Sequence, residues 1–218
     1  MTNIVLFATG SPLLVDVEES LFRAGIGVAA GVRNRPGVCW LPDGVRGVGP
    51  EGLTEALRAL PFLVPLFTPA HRQTAAREAA ALGLTTPFCL IDPSVAAPRH
   101  LELGPGCYIN AGCALGSRGR YGAFVLINRG ANIGHHADLG DFVLIGPGVT
   151  IAGNVTVGKG TAIGAGATLL PGVTIGENAT IGAGAVVVRD LPDGCLALGP
   201  AARIVRTGKA GDRDMAIE

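Results

Sequence analysis

The sequence predicts a parallel β-helix preceded by a small parallel α/β domain, and three observations carry that expectation. From Leu103 to Val187 the chain reads in sixes with no insertion: LGPGCY, INAGCA, LGSRGR, YGAFVL, INRGAN, IGHHAD, LGDFVL, IGPGVT, IAGNVT, VGKGTA, IGAGAT, LLPGVT, IGENAT, IGAGAV. Ahead of this stretch, apolar runs of strand length alternate with patterns of helix length. The composition, with 34 Gly and 5% aromatic residues, suits a repeat of tight corners better than a mixed globular core.

Thirteen of these fourteen hexads begin with Leu, Ile or Val, and Tyr121 is the exception. A period of six with an aliphatic first residue is the signature of a β-helix whose short strands each send one aliphatic side chain inward. The Gly or Asn that follows is expected to let the chain turn a corner at positive φ. Three hexads make one triangular coil of 18 residues. Successive coils stack at about 4.8 Å, the ordinary strand spacing. The period alone leaves the handedness of the coil open.

In chain order, Ile4 to Phe7 reads as a buried strand, followed by ATGSP and a helical pattern, LLVDVEESLFRAG, that stops at Gly25. Ile26 to Val32 is a second strand, Leu53 to Leu60 a short helix and Phe62 to Phe67 a third strand. His71 to Leu82 is an Ala-rich helix ending at Gly83. This alternation implies a parallel α/β unit over residues 1–90, with the β-helix over 91–190. The tail, 191–218, lacks the hexad pattern; it is expected to fold back over the end of the helix, its polar last residues frayed.

The 17 basic and 17 acidic residues balance, so the chain as a whole is not an electrostatic partner for nucleic acid or an acidic membrane. The five Cys (39, 89, 107, 113 and 195) form no CxxC pair, which points to reduced thiols and a cytoplasmic protein. No basic leader precedes NIVLF, and no apolar run approaches the roughly 18 residues of a membrane span, so neither a signal peptide nor a span is expected.

The repeat resembles the hexapeptide acyltransferases, whose left-handed β-helices form trimers and use acetyl-coenzyme A. With the α/β unit in front, the chain is similar over nearly its whole length to bacterial sugar O- and N-acyltransferases. These include sialic acid O-acetyltransferases and the enzymes that N-acetylate nucleotide-linked 4-amino sugars. The most specific stretch is INRGANIGHHADLGDFVLIGPGVTIAGNVTVG, residues 127–158, which follows the family's Asn, Ile-Gly-His, Gly-Asp-Phe and Gly-Asn landmarks. The resemblance implies a homotrimer that uses acetyl-coenzyme A without a metal and acylates a sugar or nucleotide-sugar.

Acetyl transfer needs a base for the acceptor's proton and a donor for the developing oxyanion. His135 and His136 are the only histidines in the fourteen hexads. His135 falls where the family places its base, and a neutral imidazole is available at cytosolic pH. Adding 18 to 135 gives 153, so Gly153 stands in the same column one coil along, where the family binds the acetyl carbonyl through a backbone amide. The family's coenzyme contacts fall on Leu144, Ala165 and Ala183, with Arg203 and other basic residues (Lys159, Arg189, Arg206) near the phosphates. Its acceptor loop falls on Thr9, Gly10 and Ser11, at a helix N-terminus suited to a phosphate, together with Val32, Arg33 and Asn34.

Three departures from the family pattern stand out. The Asp or Glu that usually follows the base is His136 here, so that Asp138, Asp141 or a neighbouring subunit would have to compensate. The Gly-His-Gly signature of the first loop is replaced by GSPLL, and the acidic pair after the second strand by VRN. The C-terminal Gly-x-Pro-Ala-Arg motif is altered too, to Gly199-Pro200-Ala201-Ala202-Arg203. Two other readings stay open: a non-catalytic carbohydrate-binding or scaffold relative, and a γ-type carbonic anhydrase, which needs three His around zinc.

Overall fold

The computed structural model describes residues 2–208 and 211–218. The chain builds a four-stranded parallel sheet and then a triangular β-helix. In the first unit β1 (Asn3–Phe7), β2 (Gly27–Val32), β3 (Gly47–Val48) and β4 (Phe62–Leu63) lie in the order β3-β2-β1-β4. Helices α1 (Leu14–Arg23), α2 (Glu55–Arg58) and α3 (Pro69–Ala81) accompany them. Strand β3 was not expected from the sequence, the third strand expected over Phe62 to Phe67 shrinks to two residues, and the helix expected over Leu53 to Leu60 keeps one turn. Central β1 is apolar on both faces: Ile4, Val5, Leu6 and Phe7 are all fully buried. Ile4 and Leu6 point toward α1 and the β-helix, whereas Val5 and Phe7 pack under α3.

The coil starts at β5 (Leu90–Ile91), which pairs in parallel with Tyr108–Ile109. From there through Val187 the strands pair with residues 18 apart, as in Leu126–Ile127 with Leu144–Ile145 and then Ala162–Ile163. Three parallel sheets result, one per face of the prism. The first residue of every hexad lies on the inner side, in one continuous aliphatic core. Tyr121 is buried there as well, and its hydroxyl has no hydrogen-bond partner among the described residues.

The corners correct one expectation. Positive φ falls at the fourth position of each hexad, not at the second, and it does so in all fourteen, from Gly106 (φ 77°) to Gly184 (φ 68°). The second-position glycines answer a different constraint, the closeness of the next coil. A Cβ at Gly134 would lie 2.5 Å from the Ala152 carbonyl carbon, and one at Gly158 would lie 2.5 Å from the Glu177 amide. Backbone cannot yield there without parting the stack.

The α/β unit covers the face that carries Tyr108, Leu126, Leu144 and Ala162. Two buried polar groups fasten it. The Arg72 guanidinium on α3 donates to the carbonyls of Leu66, Phe67, Phe124, Phe142 and Val143 at 2.7–3.2 Å. Burial lowers its pKa to about 9, which leaves it charged at neutral pH. Asp92, buried at the first coil, accepts from Arg23 and Ser20 of α1 at 2.6–2.9 Å and from Ser94. The other two faces carry mostly polar outward residues: Ala114, Asn132, Thr150, Thr168 and Val186 on one, Glu102, Arg120, Asp138, Thr156 and Thr174 on the other. They are therefore less apolar than a Gly-, Ala- and Val-rich surface would be.

The tail continues the covered sheet with Leu196–Leu198 and turns back as the antiparallel strand Arg203–Arg206. Its end is anchored, contrary to the frayed terminus expected from its polarity. Ile217 is buried and donates to Asn178 Oδ1 at 2.8 Å, and the Glu218 amide reaches Gln73 Oε1 on α3. Lys209 and Ala210 lie outside the described residues. No helix among the described residues is long and apolar enough to cross a membrane.

Burial opposes the charge on Asp92, but its hydrogen bonds from Arg23, Ser94 and Ser20 outweigh that and hold the carboxyl below the usual carboxylate range. A depressed carboxylate contributes stability that is present above its unfolded pKa of about 3.9 and is lost as pH falls through the folded value. Asp92→Asn should lower stability at neutral pH and flatten the decline below about pH 4; urea midpoints between pH 2 and 7 check this, and an unchanged acid limb would show that Asp92 does not carry it.

Candidate active site

His135 and His136 occupy the third and fourth positions of one corner, between the strands Asn132–Ile133 and Asp138–Leu139. The corner is fixed from both sides: the His136 amide donates to the Ser117 carbonyl, and the Asn154 amide to the His135 carbonyl. His136 takes the left-handed conformation of every fourth position, with φ 56°. Both side chains are exposed in the single chain. Their Nδ1 atoms are 2.9 Å apart, with the rings nearly perpendicular.

That contact holds one proton between two like atoms. When His135 Nδ1–H donates and His136 Nδ1 accepts, the lone pair of His135 lies at Nε2, the tautomer a base requires. With that tautomer His136 stands where the resemblance expects a carboxylate, as an acceptor that carries no negative charge. Asp138 and Asp141, the expected substitutes, are engaged elsewhere. Asp138 binds Arg120 at 2.6 Å, and Asp141 Oδ1 accepts the Ala123 amide at 2.7 Å.

Gly153 lies under the imidazole of His135. A Cβ at 153 would come within 2.6 Å of His135 Cε1 and Nε2, so the absent side chain is what lets the ring occupy this place. Its amide is unpartnered as well. Third-position N–H groups point away from the ladder, and the coil removes several of them: Pro105, Pro147 and Pro171 have none, and Asn or Asp side chains take those of Ala111, Ala123, Arg129 and Glu177. The amides of Ser117, His135, Asp141, Gly153, Lys159, Ala165 and Ala183 have no acceptor among the described residues, and Gly153, Ala165 and Ala183 are the ones with the smallest side chains beside them, apart from Ser117. Ala165 and Ala183 are exposed on another corner, in the column of Arg129.

Other expected positions do not fit their assigned roles. Leu144 is 2% exposed and packed beneath the α/β unit with Leu63 and Leu126, so its side chain cannot border a coenzyme. Val32 is fully buried in the sheet core, and the buried Thr9 hydroxyl contacts Cys39 Sγ at 3.3 Å. The start of α1 is not a phosphate cradle: the amides of Leu13, Leu14, Val15 and Asp16 already donate to Ser11 Oγ and to the carbonyls of Ser11, Pro12 and Leu13. Of the basic residues expected near the phosphates, Lys159 stands 3.6 Å from Glu177 and Arg206 pairs with Asp214, while Arg189 and Arg203 are exposed.

Gly10 and Ser11 do line an open cleft. It lies beyond the carboxyl ends of β1 and β4, where the strand order reverses, the usual ligand crevice of such sheets. Its 550 Å³ are walled by the 10–13 and 66–68 loops, His71, Asn128, Arg129 and Arg213. Asn34 and His71 also border an adjoining hollow with Gly10, and Arg33 with Asn34 a further one. His71, Asn128 and Arg129 were missed as wall residues because they meet only once α1 and α3 are docked on the coil. Among the described residues, no group of three His, Cys, Asp or Glu side chains is placed to hold a metal ion.

A parallel β-helix behind an α/β unit, with an imidazole over an unpartnered backbone amide, defines a hexapeptide-repeat acyltransferase. The bacterial transferase hexapeptide (six repeats) family matches residues 154–189. A perosamine N-acetyltransferase from Caulobacter crescentus, solved with CoA and GDP-perosamine in a variant whose histidine is replaced by asparagine, is 34% identical. The match covers 94% of this chain and 96% of that one with a TM-score of 0.83. PerB from the same organism, also with CoA and GDP-perosamine, is 35% identical over 94% and 97% of the two chains, with a TM-score of 0.82. The acetyltransferase domain of PglB from Neisseria gonorrhoeae FA1090, in complex with acetyl coenzyme A, is 26% identical over 94% and 98%, with a TM-score of 0.81. No curated protein matches the chain in sequence. The chain belongs to the sugar acyltransferases of the hexapeptide-repeat, left-handed β-helix superfamily.

Because the collision at 153 is with the imidazole, Gly153→Val should displace His135 and crowd the amide together. We expect transfer to fall by roughly 10² or more, the scale of losing a positioned base or an oxyanion donor, with the melting temperature nearly unchanged. Steady-state kinetics on the folded variant check this, and wild-type rates would place the reacting carbonyl elsewhere.

Proposed function

We propose that the protein is an acetyl-coenzyme A-dependent N-acetyltransferase acting on a nucleotide-linked amino sugar, with His135 as general base. The observation that carries the reading is the His135 imidazole lying over the free amide of Gly153, with its Nδ1 2.9 Å from that of His136. The coenzyme's thioester supplies an activated acetyl carbonyl. As the acceptor amine attacks it, His135 Nε2 takes the amine's proton. The Gly153 N–H donates to the oxygen on which negative charge develops. The unpartnered amides of Ala165 and Ala183, flanked by small side chains, suit a pantetheine arm laid flat along the coil. Arg203 remains a candidate for its phosphates, while Leu144 is withdrawn. The cleft at Gly10, Ser11, Asn34, His71 and Arg129 is assigned to the acceptor's nucleotide, and Thr9 and Val32 only shape its floor. Residues 1–90 are read as the acceptor unit, 91–190 as the transferase unit and 191–218 as a strap. Solved relatives bound to CoA and GDP-perosamine, or to acetyl coenzyme A, support both substrate classes.

The same geometry favours a cyclic homotrimer. His135 and Gly153 stand on one prism edge, whereas Arg129, Ala165 and Ala183 stand on another, so a single chain does not bring the two halves together. A neighbouring copy would supply the second edge, and closed cyclic assembly satisfies every chain alike. The five free thiols and acetyl-coenzyme A chemistry fit a cytoplasmic setting. Sedimentation at micromolar concentration should give three times the chain mass, and a monomer with full activity would refute the shared site.

His135→Ala should lower the rate of acetyl transfer by about 10² to 10⁴. His136→Ala should cost less, because it removes only the tautomer's acceptor. His136→Glu restores a carboxylate next to the base; it should raise the pKa of His135 and move the lower limb of the pH–rate profile toward higher pH. A profile that does not move, or a greater loss from His136→Ala than from His135→Ala, would reverse the assignment.

A further inference from the structure

On the N-terminal side of the histidine corner, the first rungs of the neighbouring face border a second cavity of 530 Å³. Its charged and titratable walls are Arg99, His100, Glu102, Arg118, Arg120 and His136, and it shares no residue with the cleft of the α/β unit. Stacking fixes these walls. The Arg118 amide donates to the His100 carbonyl at 2.7 Å, one coil back, and the His136 amide to Ser117 at 3.0 Å, so Arg118 and His136 occupy consecutive rungs of one corner column. Arg118 takes φ 62° at a position where most corners of this chain use Gly. Nothing in the coil needs a guanidinium there, and the backbone is strained by holding one.

The charges are unevenly answered. Arg120 sits between two carboxylates: Asp138 at 2.6 Å on the following rung and Glu102, its register partner on the preceding one. Arg99 and Arg118 have no carboxylate within ion-pair distance among the described residues. Two guanidiniums on adjacent rungs of one cavity repel each other unless an anion lies between them. Their forked N–H groups suit phosphate oxygens in particular.

We infer that this cavity is the subsite for the diphosphate of the nucleotide-linked acceptor, whose nucleotide lies in the α/β cleft of the neighbouring copy that brings its Arg129 edge to this one. This deepens the acyltransferase reading and rests on it. Coenzyme A also carries phosphates, but direction separates the two ligands. Gly153, Ala165 and Ala183 lie on rungs that follow His135, whereas Arg99 and Arg118 lie on rungs that precede it. The coenzyme and the acceptor then approach the base from opposite ends of the coil. The cavity volume lies within the range of small-ligand pockets. His136 closes its rim at 2.9 Å from His135, so a sugar attached to a diphosphate here is directed at the base.

Arg118→Gly tests this without a folding penalty, since Gly relieves the left-handed backbone; Arg99→Ala and the double variant complete the set. Calorimetry with inorganic pyrophosphate should show binding to the wild type that weakens at least tenfold in Arg118→Gly and partly returns in Arg118→Lys. The KM for a nucleotide-linked amino sugar should rise about tenfold while that for acetyl-coenzyme A stays within twofold, a shift of the size expected for one lost charged contact. Unchanged pyrophosphate binding would overturn the subsite. A rise in the KM for acetyl-coenzyme A instead would reassign the anion to the coenzyme. Pyrophosphate binding that depends on Arg118, in a wild type that acetylates no amino sugar at all, would leave an anion site but sink its assignment to the acceptor.

Discussion

Stacking of one coil upon the next is the constraint on which everything else rests. Rungs repeat every 18 residues at strand spacing, and that makes ten of the fourteen second hexad positions Gly and leaves no choice of φ at the fourth. The third position is where the constraint relaxes. Its side chain faces outward and its amide has no rung to pair with, so the fold generates a column of loose N–H groups along each edge. Proline and Asn or Asp side chains retire some of them. Of the seven that survive, those at Gly153, Ala165 and Ala183 are the ones the donor substrate is proposed to use. A ligand site here is therefore a set of positions at which the repeat was left unfinished.

Docking of the α/β unit adds the second half. Arg72 spends every guanidinium N–H on carbonyls, two from the loop after β4 and three from coil corners. A lysine could not span these acceptors, because its donors radiate from one atom. Since Leu66 and Phe67 line the cleft, the residue that glues the two units together also sets the cleft wall. The same interface takes the Leu144 side chain out of reach of the coenzyme: it is one of those the α/β unit packs upon.

The repeat was legible because its period is enforced by backbone contact, and a period survives almost any choice of outward residue. Column arithmetic accordingly placed Gly153 beside His135 from numbers alone. What failed to show in the sequence was whatever depends on docking or on local capping. Val32 looked like a loop residue at a strand end and is core. Ser11 looked like the start of a phosphate-binding turn, yet with Pro12 and Leu13 it consumes the helix's first amides. Ile217 sits among polar neighbours and is buried only because Asn178 and Gln73 hold the strap down. Glycine after the aliphatic residue was assigned to the corner, but the corner lies two residues on, and the glycine serves stacking instead.

The substitution of His136 for a carboxylate is the point where local and global constraints meet. Its backbone must be left-handed, a conformation that Asp and Asn accept readily and His accepts less often but more readily than a β-branched residue. Its side chain has to meet Nδ1 of the preceding histidine from that backbone, and it does so at 2.9 Å. What a carboxylate supplies there is two separable things, a lone pair to fix the tautomer and a charge to stabilise the imidazolium. His136 keeps the first and gives up the second. An amine acceptor tolerates that loss better than a hydroxyl would. An amine in its free-base form attacks with its own lone pair and surrenders its proton only as its nitrogen becomes positive, whereas a hydroxyl is a weaker nucleophile and depends more on the base drawing its proton off as it attacks. The neutral partner thus agrees with N-acylation, the chemistry named for the Caulobacter crescentus relatives.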